Sequence, residues 1–131
     1  MDRKKLTALL QSNPNITAAI LFGSEANGKA TQGSDIDIAL LYETTHIPKP
    51  LDVLQLREEL SDQMRQDVDI VLLNDASPII AMQAIKNGIP LLIRDHKAYN
   101  LFEIKLATDY ADVKKMREPF EKTILDRKLH D

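Results

Sequence analysis

Apolar positions along this chain fall by turns at helical and at strand spacing. Leu6, Leu9 and Leu10 share one helical face, and Asn13-Pro14 ends that helix. The continuous apolar run from Ile16 to Phe22 predicts a buried strand. Gly23-Ser24 turns the chain, with Ser24 as the N-cap of a short helix ending near Gly28. Thr31-Gln32-Gly33-Ser34 reads as loop. From Asp35 to Tyr42 the residues alternate, with Ile36, Ile38 and Leu40 on one face and Asp35, Asp37, Ala39 and Leu41 on the other.

A loop from Thr44 through Pro50 follows, and Leu51, Leu54, Leu60 and Met64 then mark a second long helix. Asp67 to Leu73 predicts a third strand with Val68, Ile70 and Leu72 toward the core. Ser77-Pro78 opens a helix whose apolar stripe is Ile79, Met82 and Ile85, with Gly88 as its left-handed stop. Ile89 to Ile93 is a fourth strand, and Pro90 puts it at a sheet edge. From about Ala98 the pattern is helical, and Pro119 is expected to break or kink it. The class is therefore α/β, and the short link from Phe22 to Asp35 favours antiparallel neighbours and a mixed sheet. The length, 131 residues, fits one domain over 1–131, with a core at about 1–96 and a helical extension at about 97–131.

Composition narrows the setting. The apolar share is 44%, with three Phe, three Tyr and no Trp, so the core is mainly aliphatic. The lack of Cys excludes disulfides and thiolate metal sites. The charged start and the absence of a long apolar run predict neither a secretory leader nor a membrane span, hence a cytoplasmic protein. The net charge of −3 argues against direct nucleic-acid binding, which draws on a basic excess, and suits a site for divalent cations.

Two acidic pairs head apolar strands. Asp35 and Asp37 are two residues apart and share a face, as do Asp67 and Asp69. Like charges so placed repel unless a cation sits between them, and Mg²⁺ takes such oxygens. A bare Asp-x-Asp is more often a solvated strand end. If the two strands pair, however, one of the second pair completes a triad; Asp69, set further into its strand, is favoured over Asp67. Gly23 permits close backbone approach to a ligand, and a helix start at Ser24 favours phosphate. His46, His96 and His130 lack metal-ligand spacing and are assigned to the surface. Tyr42 and Tyr110 read as structural, and Tyr99 is a candidate for contact with a base on residue type alone. Lys114-Lys115-Met116-Arg117 reads as a solvated helix face.

Together, the apolar strand, Gly23-Ser24, the spacer, Asp35-Ile36-Asp37 and the later Asp69 resemble the signature of the polymerase-β-like nucleotidyltransferase superfamily over about residues 16–73. The wording Gly23-Ser24-Glu25-Ala26-Asn27-Gly28 and Gly33-Ser34-Asp35-Ile36-Asp37-Ile38 is most similar to the minimal nucleotidyltransferases, antitoxins of toxin pairs with HEPN-domain proteins. One departure is that many relatives carry Arg after Gly-Ser, where this chain has Glu25 and Asn27, with Lys29 the nearest base. The resemblance implies the nucleotidyltransferase fold and two Mg²⁺ ions held by catalytic Asp35, Asp37 and Asp69, with Asp69 also helping to take the acceptor proton. It implies ATP as substrate, with Gly23, Ser24, Lys29 and Ser34 as nucleotide-binding positions. It further implies that AMP passes to a tyrosine of a HEPN ribonuclease toxin; few residues follow the fourth strand, so a partner presents the acceptor. Two other readings stand beside it: a non-catalytic antitoxin that blocks its partner by complex formation, and a nucleotidyltransferase acting on a small molecule such as an antibiotic.

Overall fold

The computed structural model describes residues 1–31 and 33–130, with side chains through residue 119 and at Thr123. Gln32 of the predicted loop, the His130 ring and Asp131 lie outside the described residues. The element order is α1 (Arg3–Gln11), β1 (Ile16–Phe22), α2 (Ser24–Asn27), β2 (Ile36–Tyr42), α3 (Pro50–Met64), β3 (Val68–Leu72), α4 (Pro78–Ile85), β4 (Ile89–Ile93) and α5 (His96–His130).

The strands form one mixed sheet in the order β3-β2-β1-β4. The link through α2 returns the chain antiparallel to β1, whereas α3 serves as the crossover that sets β3 parallel to β2. β4 lies at the far edge, antiparallel to β1, and its Pro90 is exposed there as expected. One face of the sheet buries Ile36, Ile38, Leu40 and Leu21 against Leu6 and Leu10 of α1 and Leu60 of α3. The other buries Ala18, Ile20, Ala39 and Leu41 against Ala81 and Ala84 of α4 and Tyr99 and Leu106 of α5. Covering both faces explains why β1 and β2 are apolar almost throughout. Arg94 ties β4 to the end of α1, donating to the Asn13 and Ile16 carbonyls at 2.8 Å and the Gln11 carbonyl at 2.9 Å. No described helix is long and apolar enough to cross a membrane.

Several local expectations are corrected. Ser24 is the first residue of α2; the N-cap is Gly23, at φ 71° and ψ −155°, a backbone region open essentially to glycine. α3 begins one residue early, on Pro50, and Leu51 and Leu54 are exposed; its packed side chains are Leu56, Leu60 and Met64. In α4 Met82 and Ile85 pack against the core as expected, but the fully buried positions are the small residues Ala81 and Ala84, and Ile79 is only half-buried. α5 starts at His96 and runs through Pro119 without a break, on an exposed stretch flanked by good helix formers. Thr123 Oγ1 donates to the Pro119 carbonyl at 2.9 Å.

Gly88 is not a left-handed stop, since it has no positive φ. Its role is clearance. A Cβ there would collide with Cγ2 of Ile20 and crowd the carbonyls of Ala84 and Leu21, where the chain passes from α4 into β4. Gly88→Ala is therefore expected to destabilise the fold by about 1–3 kcal/mol through overpacking, read as a lower midpoint in urea unfolding.

Candidate active site

β2 and β3 begin at the end of the sheet where β1 finishes. The parallel register sets Asp37 directly opposite Asp69, and the antiparallel register sets Phe22 opposite Asp37. Residues at one level of adjacent strands point to the same side, with strands about 4.8 Å apart. The two carboxylates therefore share the α4/α5 face, at its uncovered end. Asp35 precedes β2 by one residue, keeps the parity of Asp37 and is exposed. The Ile36 N–H donates to the Asp67 carbonyl at 2.8 Å, extending the ladder one step, while the Asp67 residue itself stays exposed as expected.

Gly23 links the two parts of the motif. Besides its special φ and ψ, a Cβ at Gly23 would run into Oδ2 of Asp37. The Gly23-Ser24 turn thus lies against the Asp37 carboxylate, and only glycine permits that approach. α2 is a single turn, so its dipole contributes little. What the turn offers a phosphate is close backbone approach beside the acidic strand.

The electrostatics follow from this convergence. Burial pushes the Asp37 carboxyl above the ordinary Asp value, and the neighbouring charges of Asp69 and Asp35 push it further. Arg57 of α3 reaches round the free edge of β3, placing Nη2 3.0 Å from Asp69 Oδ1 and donating from Nε to the Val68 carbonyl at 3.1 Å. Ser61 Oγ accepts the Val68 N–H at 2.9 Å, so α3 satisfies both backbone groups of Val68 at that edge. Both ends of the Arg57–Asp69 pair are nearly half exposed, at 48% and 45%; its value is orientation more than stability. Asp35, Asp37 and Asp69 present only hard oxygen donors, the type that Mg²⁺ takes, and their repulsion at Asp37 is what a cation would relieve. Among the described residues no three acidic or imidazole groups are already gathered tightly enough to hold an ion.

The remaining predicted positions border this end of the sheet in different ways. Ser24 is half-buried beside Gly23, and Lys29 is exposed, its backbone N–H donating to Asn27 Oδ1 and to the Ser24 carbonyl, each at 3.1 Å. Ser34 Oγ accepts the Thr31 N–H at 2.9 Å. Tyr99 is packed in the core against Phe102, with ring centroids 6.3 Å apart, so it is not open to a base; burial pushes its hydroxyl up to about 12. His46 and His96 are exposed as expected. An open cleft of about 780 Å³ borders the site, lined by Glu25, Thr31, Gly33, Arg65, Gln66 and Asp67 among others. A more apolar cavity of about 760 Å³, walled by Leu41, Leu73, Phe102 and Leu106, lies at the opposite end of the sheet and contains no predicted site residue. Chemistry, not enclosure, identifies the site.

Two polar residues beside the site, Arg57 and Gln66, are not singled out by the sequence. Arg57 shares a helical stripe with Val53, Leu60 and Met64, and a lone cation on a core-facing stripe was the available signal. Gln66 carried none.

The raised Asp37 pKa has a sign that can be tested. Its contribution to stability is fully present below the unfolded value near 3.8 and is lost as pH rises through the higher folded value. At neutral pH without divalent cations, ionised Asp37 thus opposes folding. Asp37→Asn should raise the melting temperature in EDTA at pH 7, and the gain should shrink as pH falls through the raised folded value and be gone below 3.8, as thermal denaturation would show.

Known proteins resemble this chain in sequence and in fold. Protein adenylyltransferase MntA of Shewanella oneidensis is 30% identical over 122 residues, covering 90% of this chain and 84% of that protein. A crystal structure of a toxin–antitoxin with AMP-PNP contains a chain that matches with a TM-score of 0.84 at 27% identity, covering 95% of this chain and 99% of that one. A tri-AMPylated Shewanella oneidensis HEPN toxin in complex with MNT antitoxin gives a TM-score of 0.76 at 25% identity, covering 94% and 95%. Residues 4–97, which hold the whole sheet and every predicted site position, match the family described as polymerase beta, nucleotidyltransferase, and the chain belongs to that family.

Proposed function

We propose that this nucleotidyltransferase is an antitoxin that moves AMP from ATP onto a tyrosine of a partner HEPN ribonuclease toxin in the cytoplasm. The observation that carries this reading is the facing of Asp37 and Asp69 across β2 and β3, with the Gly23 turn pressed against Asp37. The relatives named as a protein adenylyltransferase and as an antitoxin beside an AMPylated toxin supply the acceptor class.

Asp35, Asp37 and Asp69 would hold two Mg²⁺ ions, which when bound stabilise the entering and leaving oxygens of an in-line displacement. The residues of the chain do the rest. Gly23 and Ser24 receive the β- and γ-phosphates, with Ser34 and Lys29 at the border of that pocket. Asp69 faces the acceptor side, where it helps take the proton from the tyrosine hydroxyl as that oxygen attacks the α-phosphorus and pyrophosphate leaves. Arg57 keeps one oxygen of Asp69 occupied and so fixes the direction of the other. The transferred group is anionic and bulky, and both properties oppose RNA binding by the modified toxin.

Asp35→Asn or Asp37→Asn should lower transfer by about 100-fold or more, because each removes charge from the site where charge develops. The fold should survive, since Asp35 precedes β2 and is exposed, and Asp37 is only half-buried and belongs to neither apolar cluster. The check is the intact mass of the HEPN partner after incubation with Mg²⁺ and ATP: the parent chain adds AMP-sized increments and the variants do not. Equal modification by parent and variant would refute the assignment.

A further inference from the structure

The segment from Glu25 to Ser34 joins the Gly23-Ser24 turn to Asp35. Its described residues are mostly exposed, and Ala26 alone packs against a core cluster. Yet the two ends of this segment flank the groups assigned to phosphate and metal. Both ends meet at one side chain. Gln66 Nε2 donates to Glu25 Oε1 at 2.8 Å and to the Ser34 carbonyl at 2.6 Å, so the two hydrogens of a single amide are both used.

Gln66 is itself held firmly. It follows Arg65, which closes α3 in the left-handed conformation at φ 54° and ψ 39°, a costly state for a side chain other than glycine. The Gln66 N–H returns to the Ser61 carbonyl at 3.3 Å, and the next residue, Asp67, accepts the Ile36 N–H at 2.8 Å. The turn between α3 and β3 is thereby fixed to the head of β2, and the amide it carries reaches across to the start and end of the segment.

We propose that Gln66 is a positioning residue for the nucleotide: it ties the phosphate-binding turn to the acidic strand and holds the Glu25 carboxylate aside. Glu25 follows Ser24 directly, and an unrestrained carboxylate there would repel a triphosphate. The hydrogen bond turns its Oε1 toward the α3–β3 link instead. The inference rests on the nucleotidyltransfer reading above.

Gln66→Glu keeps the shape but loses both donors and sets a carboxylate against Glu25 and the Ser34 carbonyl. Calorimetry on the full chain with Mg²⁺ and a non-hydrolysable ATP analogue should show affinity weakened about tenfold, the worth of one or two hydrogen bonds. In AMP transfer to the HEPN partner, KM for ATP should rise in step while kcat changes less than about threefold. Gln66→Ala, which adds no charge, should show a smaller loss in the same direction and guards against misfolding of the first variant. Combining Gln66→Glu with Glu25→Gln lets the amide donate in the reverse sense, and analogue affinity should recover in part, the Ser34 carbonyl still lacking its donor. Unchanged analogue affinity in both single variants would overturn the inference, as would a fall in kcat at constant KM. Its failure is separable from that of the reading beneath it: transfer undiminished by Asp35→Asn or Asp37→Asn would sink the latter, whatever Gln66 does.

Discussion

Asp37 and Asp69 face one another across a parallel strand pair, at a level where burial already disfavours charge on Asp37. A folded chain gains nothing from such a juxtaposition in plain water. Hydrophobic burial on both faces of β2 holds Asp37 in place despite the repulsion, because a slip of one residue would move Ile36, Ile38 and Leu40 out of their core. The juxtaposition is therefore a local cost imposed by a well-determined sheet, of the kind a bound cation would relieve.

The order β3-β2-β1-β4 makes this possible. It brings the end of β1 and the starts of β2 and β3 to one rim, so that the Gly23 turn lies against Asp37, and Asp69 and Asp35 flank it, without long loops. It also leaves β3 at an edge, and Arg57 uses that edge to reach Asp69 from the helix on the opposite face. Gln66 works at the same rim from the turn that follows the helix. α3 thus does more than complete the crossover between β2 and β3: through its face and its end, it supports the acidic strand and the segment that follows the Gly23-Ser24 turn.

Much of this was legible in the residues. A period of two fixes which side Asp35, Asp37 and Asp69 take, and the apolar runs around them fix which strands are buried. The antiparallel return after Phe22 and the edge position of Pro90 follow from link length and from the missing proline N–H. What could not be read depends on close packing between distant segments. Gln66 meets Glu25 across 41 residues, and no spacing rule connects them. Ser24 has the chemistry of an N-cap, but the backbone of Gly23 takes that place because Asp37 leaves no room for a Cβ. Gly88 likewise answers to Ile20 on a neighbouring strand as well as to the end of its own helix. The Leu51 and Leu54 pair fits a helical stripe, yet the sheet contacts that helix through Leu56, Leu60 and Met64.

Where these carboxylates stand beside a bound nucleotide is decided by a crystal of this chain grown with magnesium and a non-hydrolysable ATP analogue. The expected result is metal density within about 2.0–2.1 Å of oxygens from Asp37 and at least one of Asp35 and Asp69, with the triphosphate lying along the Gly23-Ser24 turn. A triphosphate bound elsewhere, with the carboxylates still apart and no ion among them, would contradict it.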